Sequence, residues 1–342
     1  LEVAEAQQAQ QLYAQGTTAA DFTYLSTLLD AEAVGLLTDQ VQAIPYLGSS
    51  LLGDLQSRIT LAQSYGEPIA PFQSDLQTDR VKLAAAHTLV AFLTLKRQVA
   101  KQSAALSVLL VRGQTSQDIS QLRSLLTYCQ QHHLMDYEYS ADTGLQGVLQ
   151  DFAASATVSD YQYVDGEATM LLTNLRAMIT NISDPTPASQ AHTTDLDLAQ
   201  AYGVAPGKVI IVSVREQTLR AYDNGQLVFW TYITSGRPEL PSPPGFWHVL
   251  ARQQNIIFSS SEPVGSQYWY APTLVHFALL FHDGGFYVHD AWWRLHFGPG
   301  SNLPHYDPQA FDGGSHGCVN VPLQQMTWLY QWAAVGTPVI VY

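Results

Sequence analysis

The chain has 342 residues, which at about 100–200 residues per domain predicts two or three domains rather than one. Hydrophobic residues make up 46% of it and charged residues only 13%, with a formal net charge of −14. Binding to nucleic acid or to an anionic membrane needs a basic surface, so this composition disfavours both functions. The longest apolar stretches, such as 271–281, are shorter than the roughly 20 residues that cross a bilayer.

The first half of the chain predicts an all-α bundle of about six helices. Apolar residues recur every three or four positions in segments 122–129 and 171–182, a spacing typical of helices with one buried face. The pairs Thr18–Asp21 and Thr115–Asp118 match the start signal in which an acidic residue follows a Ser or Thr by three positions. Because no repeat of roughly 33–45 residues is evident, a bundle is favoured over a solenoid.

A change in composition predicts a domain boundary in the middle of the chain. Residues 1–207 carry 9 Lys or Arg against 21 Asp or Glu, whereas all seven Trp lie after residue 229. Segment 184–189 contains two prolines that cannot continue a helix, so it is interpreted as part of a linker that proteases should cut. We therefore predict a helical domain at 1–183, a linker at 184–206 and a second domain at 207–342.

The second half of the chain predicts a compact β-rich domain. Val209–Val214 is an apolar run typical of a buried strand. Segments 218–222 and 226–233 flank Asn224-Gly225, a residue pair typical of a tight hairpin turn. One helix is expected from Leu323 to about residue 334, before the last strand. The predicted fold class is therefore multidomain α+β, with an N-terminal all-α helical bundle followed by a β-rich domain.

Cys318 is the candidate nucleophile. It lies in the run Gly313-Gly314-Ser315-His316-Gly317-Cys318-Val319-Asn320, where small residues let the backbone approach a ligand. A thiol reacts as a thiolate, which needs a nearby base, a cation or exposed amide N–H groups. The amides around Gly317 and Cys318 could support a developing oxyanion. From the residues alone, a buried structural thiol is an equally good interpretation of Cys318, and Cys129 is interpreted as a core residue.

His289 is the best candidate for the base, because it ends a strand-like run that follows Gly284-Gly285. A metal site is the alternative use of the histidines. The potential ligands are His276, His282, His289, His296, His305, His316 and Cys318. Their spacing lacks the paired ligands typical of zinc sites, so no metal is expected, and His296 and His305 are interpreted as loop surface.

These residues resemble the signature of the YkuD-type L,D-transpeptidases, in which a histidine and a loop precede Ser/Thr-His-Gly-Cys-x-Asn. Segment 315–320 fits that pattern position by position. Ser235-Gly236 and the segment 243–246 are similar to two further elements of the family, and Tyr268–Pro272 resembles its aromatic lid. The resemblance covers about residues 207–342 and implies a YkuD-like L,D-transpeptidase catalytic domain there.

The resemblance also implies a role for each matching residue. Cys318 is similar to the acylated nucleophile and His289 to the general base. His316, a third catalytic residue, is similar to part of the oxyanion surroundings, together with Gly317 and Cys318. Substrate contact is expected of the remaining motif and lid residues: Ser315, Asn320, Tyr268, Trp269 and Tyr270.

A bacterial enzyme that forms 3→3 cross-links in peptidoglycan is the function that the resemblance implies. In that chemistry the cysteine attacks the amide before the terminal D-Ala of a tetrapeptide stem, D-Ala leaves, and an amine of another stem attacks the thioester. Peptidoglycan stem peptides are the expected partners, carbapenem-type β-lactams are expected inhibitors, and no cofactor is expected. The alternatives are an L,D-carboxypeptidase with water as acceptor, a non-catalytic wall-binding module and a zinc hydrolase.

Two positions depart from the family pattern. Twenty-five residues separate His289 from Ser315, more than is usual in the family, and we expect this connection to line the substrate cleft. Asp290 stands where the family often has Gly or Ser, so a carboxylate adjoins the base.

The implied activity places the protein on the outer side of the cytoplasmic membrane. The sequence begins at Leu1 rather than Met, so we expect an upstream segment to be missing from it, and a signal peptide or membrane anchor in that segment would not be visible here. The helical domain is interpreted as a spacer or packing partner, with wall interaction as the alternative.

Overall fold

The computed structural model describes residues 19–132, 135–304 and 313–342. Thr18, the predicted start signal of the first helix, lies outside the described residues. Six helices precede the first strand in the described part of the chain. They are α1 (Ala19–Ser64), α2 (Ala70–Ala84), α3 (Leu89–Gln131), α4 (Met135–Ala154), α5 (Val158–Asn181) and α6 (Thr193–Ala201).

The strands form two sheets in the second half of the chain. Strands β1 (Lys208–Ser213), β2 (Thr218–Asp223), β3 (Gln226–Tyr232), β4 (Gly245–His248) and β9 (Pro338–Val341) make a five-stranded sheet in the order β3-β2-β1-β9-β4. Strands β5 (Ala251–Phe258), β6 (Thr273–His282), β7 (Phe286–Asp290) and β8 (Val319–Val321) make a four-stranded sheet in that order. Helix α7 (Leu323–Trp332) joins β8 to β9. The predicted α+β class, helices first and a β-rich domain after them, is confirmed.

The predicted hairpin connects β2 and β3. Asn224 and Gly225 both have positive φ angles, 49° and 76°, which glycine adopts freely and asparagine more readily than most residues. The antiparallel register pairs Asp223 with Gln226 on either side of this turn.

The compact units of the structure divide the chain at a different place from the predicted linker. One unit ends at Gln114 and the other runs from Thr115 to Tyr342. The segment 184–206 is not an extended linker, because it contains α6, whose Leu198 is buried in the core of the second unit. The sequence pattern could not show which core the helices share.

Helix α5 packs into the core that supports the β-strands. Leu175 and Met178 on this helix are 0% and 1% exposed. Asn174 is also buried, and its Nδ2 donates to the carbonyl of Val341 at 2.8 Å while its Oδ1 accepts from the Tyr202 hydroxyl at 2.6 Å. The helix therefore satisfies a backbone group of β9, which favours a structural role for it in this unit.

A buried polar network fixes α6 to the first sheet. Arg220 and Asp195 form an ion pair in which both side chains are fully buried, and Arg220 also contacts Glu216 at 2.7 Å. The hydroxyls of Tyr222 and Tyr342 donate to Asp195 at 2.7 and 2.8 Å. Every charge in the network has an opposite charge or a hydrogen-bond partner, which is the condition for keeping charges in a protein interior.

We predict that the β-rich domain cut out alone is less stable than the compact unit. A fragment of residues 207–342 lacks α5, so the surface that Leu175 and Met178 cover becomes exposed and Val341 loses a hydrogen bond. Each large buried apolar side chain contributes about 1.5–3 kcal/mol. Thermal unfolding of fragments 115–342 and 207–342 should give a clearly lower midpoint for the shorter one, and equal midpoints would contradict this packing.

Candidate active site

The adjacent parallel strands β7 and β8 bring the motif residues together. His289 on β7 pairs with Asn320 on β8, and Cys318 immediately precedes β8. Because side chains alternate along a strand and paired residues point the same way, Tyr287, His289, Cys318 and Asn320 are expected on one face of the sheet. Burial raises the pKa of Tyr287, and the charge of Cys318 raises it further. The effect of Cys318 agrees with the expected proximity of the two side chains.

The Cys318 thiol is held in its protonated form. The side chain is partly buried, with Sγ 4.0 Å from the carbonyl oxygen of Gly285. Removal from water disfavours the thiolate and raises the pKa of Cys318 to about 11. At neutral pH the thiol therefore needs a base to remove its proton during attack.

His289 is a neutral imidazole with one nitrogen fixed as the donor. The residue is 4% exposed, and burial lowers the pKa of His289 to about 4. Its Nδ1 lies 2.8 Å from the main-chain carbonyl oxygen of Asp290, an acceptor, so Nδ1 carries the proton. The lone pair is then on Nε2, and the ring can accept a proton there.

The Asp290 carboxylate is directed away from this base. Its side chain is fully buried, with Oδ2 2.9 Å from Nδ1 of His276 and Oδ1 accepting the Phe277 N–H at 2.7 Å. The negative charge raises the pKa of His289, but the opposite effect of burial is larger. Asp290 thus stabilises the β6–β7 pairing and modifies the base only secondarily.

A tight turn presents Cys318, the candidate nucleophile. The Gly317 N–H donates to Ser315 Oγ at 3.0 Å, and the Ser315 hydroxyl donates to the carbonyl of Cys318. Contrary to expectation, the Gly317 N–H is therefore directed into the turn rather than towards an oxyanion. The Cys318 N–H makes no hydrogen bond to any of the described residues. This amide is therefore the better candidate for oxyanion support.

Gly317 has a conformation and a contact that only glycine tolerates. Its φ is +106°, and a Cβ there would lie 2.4 Å from the Phe286 ring. An alanine at this φ would carry a backbone strain of about 1–3 kcal/mol, and relief of that strain would shift the turn. We therefore expect Gly317→Ala to slow acylation of Cys318 at least about tenfold. Gly336→Ala is the matched control, with a φ of +88° and open space. Acylation followed by mass spectrometry should separate the two, and equal rates would contradict the role of the turn.

Cys318, His289 and the other motif side chains line one cavity of about 250 Å³. The predicted residues found in its wall are Cys318, His289, His316, Ser315, Asn320 and Tyr270. Asn320 is 4% exposed, and its Oδ1 has no hydrogen-bond partner among the described residues, so it can accept a hydrogen bond from a bound molecule.

The lid segment contacts the motif through its tyrosines. The rings of Tyr270 and Tyr268 lie 5.1 and 6.4 Å from the ring of His316, measured between centroids. Burial, with a smaller contribution from Cys318, raises the pKa of Tyr270. Trp269 is 38% exposed and, like Tyr268, is not part of the cavity wall. Substrate contact by these two residues stays a prediction.

Several residues of the cavity wall were not identified from the sequence. They are Arg237, Phe258, Thr273, Trp293 and Arg294. Arg237 directly follows the Ser235-Gly236 element, which was the available signal for it. Trp293 and Arg294 belong to the long connection after His289, so its described part does line the cavity; residues 305–312 of it lie outside the described residues.

A second cavity, of about 500 Å³, adjoins the motif on another side. Helices α4 and α5 contribute to its wall, as do the proline-rich segment 241–244 and Phe286. His316 lines both cavities. The turn that carries Cys318 therefore lies between two concave surfaces.

The histidines outside this site are dispersed. Among the described residues, no three His, Cys, Asp or Glu side chains lie close enough together to hold a metal ion. His305 lies outside the described residues. His282 packs against the rings of Trp247 and Phe286, and burial lowers its pKa.

Residues 207–341 match the family model described as YkuD, the L,D-transpeptidase catalytic domain. Among curated proteins, the chain is 24% identical over 146 residues to L,D-transpeptidase 1 of Mycobacterium tuberculosis, a match covering 42% of this chain and 53% of that protein. It is 34% identical over 109 residues to the probable L,D-transpeptidase 3 of the same organism, covering 31% and 36%. The matched region thus spans about half or less of these relatives.

Solved structures give similar matches to the same region. An L,D-transpeptidase from Mycobacterium smegmatis is 26% identical, with a TM-score of 0.34, and the match covers 40% of this chain and 58% of that one. A structure described as an LD transpeptidase in complex with imipenem is 24% identical, with a TM-score of 0.33 and coverages of 40% and 59%.

The β-rich domain thus brings a buried histidine and a cysteine on a glycine turn to one cavity. The match of residues 207–341 to the YkuD-type L,D-transpeptidase catalytic domain confirms the resemblance found in the sequence. Within the described residues, no helix combines the length and apolar character needed to cross a bilayer.

Proposed function

We propose that the protein is a peptidoglycan L,D-transpeptidase that forms 3→3 cross-links through a thioester on Cys318. The observation that carries the proposal is that a neutral imidazole, with Nδ1 tied to a carbonyl, lines the same cavity as a protonated thiol. This pairing suits general-base activation of a nucleophile rather than a preformed ion pair.

Acylation begins when His289 Nε2 accepts the thiol proton as sulfur attacks the carbonyl carbon of the third stem residue. The oxyanion that forms is supported by the Cys318 N–H, and His316 contributes to its surroundings. The tetrahedral intermediate then collapses, the bond to the D-Ala nitrogen breaks, and the imidazolium returns its proton to that nitrogen. The products are a thioester on Cys318 and free D-Ala.

Transfer repeats the sequence with an amine of a second stem as the nucleophile. His289 accepts a proton from this amine as its nitrogen attacks the thioester carbon. The carbon–sulfur bond breaks, the proton passes to the sulfur, and the free thiol is restored. If water takes the place of the amine, the same residues perform L,D-carboxypeptidase chemistry.

Stem peptides of peptidoglycan are accordingly the proposed substrates, and the proposed site of action is outside the cytoplasmic membrane. Carbapenem-type β-lactams are the proposed inhibitors, because a strained amide can acylate the same thiol. The complex of a related L,D-transpeptidase with imipenem supports this choice of inhibitor class.

Product analysis with purified muropeptides tests the proposal. The full chain is incubated with a disaccharide-tetrapeptide donor, with and without a second stem that carries a free side-chain amine, and the products are identified by mass. We expect cross-linked dimers that have lost one D-Ala. Tripeptide alone, in both incubations, would establish the carboxypeptidase, and an unchanged tetrapeptide would contradict both activities.

A further inference from the structure

Two guanidinium groups line the catalytic cavity of this acidic protein. Arg237 and Arg294 are both in its wall, and none of the Asp or Glu side chains among the described residues is part of that wall. The chain as a whole carries a net charge of −14. The described wall around Cys318 therefore carries two cations and no carboxylate, with Glu239 acting on Arg237 from outside it, and this composition favours an anionic group in the ligand.

Both arginines are fixed to the backbone that leads to the nucleophile. The backbone N–H and the Nε of Arg237 donate to the carbonyl of Ser315 at 3.1 and 3.2 Å. Arg294 donates from Nη2 to the carbonyl of Gly313 at 2.8 Å. These contacts place the two cations at fixed positions three to five residues before Cys318.

Gly314 permits the backbone of Arg237 to approach the segment that leads to Cys318. A Cβ at Gly314 would lie 2.5 Å from both the Cα and the backbone nitrogen of Arg237. Arg237 is 4% exposed, so its charge lies in a poorly hydrated environment where an ionic hydrogen bond to a ligand is strong. A rigid, buried guanidinium presents a planar set of donors that matches a carboxylate.

We propose that Arg237 and Arg294 form a carboxylate subsite that recognises the free α-carboxylate of the residue leaving from the donor peptide. This inference rests on the proposed function, in which the leaving residue is a terminal amino acid. Its carboxylate is two bonds from the nitrogen of the scissile amide, within the same cavity as Cys318. The subsite selects donors that end one residue after the scissile bond and disfavours donors whose chain continues.

The test uses two synthetic tetrapeptide donors that differ only in a terminal carboxylate or carboxamide. The full chain should prefer the carboxylate donor by about 10–10² in kcat/KM, the range expected for ionic hydrogen bonds. Arg237→Gln and Arg294→Gln should each lose most of that preference, measured as the ratio of kcat/KM for the carboxylate donor to kcat/KM for the carboxamide donor. Arg176→Gln, an exposed arginine on α5, is the control with the same charge change.

A binding measurement keeps this test independent of turnover. NMR titration of Cys318→Ala with each peptide should give tighter binding of the carboxylate form, and the difference should vanish in the variant that also carries Arg237→Gln. Equal affinities and equal turnover of the two peptides, or an Arg237→Gln variant that weakens both equally, would overturn the subsite. Carboxylate selectivity in binding without any D-Ala release by the parent would support the subsite and reject the proposed reaction.

Discussion

Replacing His289 by alanine should slow acylation of Cys318 by a carbapenem by about 10²–10⁴, the range typical of a lost general base. The physical reason is the raised pKa of Cys318, about 11, which leaves almost no thiolate at neutral pH. The buried imidazole is the group positioned to take that proton, because its Nδ1 is committed to the Asp290 carbonyl and its Nε2 is not protonated.

The pH dependence follows from the same two groups. The pKa of His289 is lowered to about 4, so the parent protein keeps its base over the whole range above that value and loses activity only as the pH falls through it. In His289→Ala the remaining rate should rise with pH towards the thiol pKa of about 11, because hydroxide and buffer must then ionise the cysteine unaided.

His248→Ala is a suitable control, since His248 is exposed on β4 and is not part of the cavity wall. His316→Ala should slow the reaction while keeping the parental pH dependence, because its proposed part is in oxyanion support. Stopped-flow absorbance of the carbapenem over a range of pH values measures all three variants. Near-parental rates in His289→Ala would show that another residue acts as the base.

The second large effect is expected in stability. Asp195→Ala should lower the free energy of unfolding by about 3–5 kcal/mol, since it leaves the fully buried guanidinium of Arg220 without its principal partner. Two tyrosine hydroxyls also lose their acceptor. Asp197→Ala, at an exposed position of the same helix, removes the same charge and should cost less than about 1 kcal/mol.

Urea denaturation followed by tryptophan fluorescence reports on this unit, because all seven Trp lie after residue 229. A double variant, Asp195→Leu with Arg220→Met, should recover much of the loss, as apolar replacement of both partners removes the unpaired charge. Equal stabilities of Asp195→Ala and Asp197→Ala would show that α6 is not held by the buried pair.

The proposed catalytic pair could be picked out from the sequence because its signature is local. Cys318 lies in a six-residue motif, and His289 ends a strand whose pattern is visible without the structure. The strand register then places His289 opposite Asn320. A short motif on adjacent parallel strands is thus enough to predict which cysteine and histidine share the cavity.

Residues that act through tertiary contacts could not be predicted in this way. Arg237 reaches the cavity because its backbone pairs with Ser315, 78 positions later in the chain. The Gly317 N–H donates to Ser315 Oγ because of the geometry of the turn, and the identities of the two residues do not predict that geometry. Composition likewise could not show that α5 shares its core with the β-strands, because its apolar stripe is the same whichever surface covers it.

Intact-mass analysis of the full chain mixed with a disaccharide-tetrapeptide tests the central claim most directly. We expect one adduct of the donor minus D-Ala, located by digestion on the peptide that contains Cys318, one equivalent of free D-Ala, and no adduct on Cys318→Ala. An adduct that keeps the D-Ala, or one that forms equally well on Cys318→Ala, would contradict acyl transfer through this cysteine.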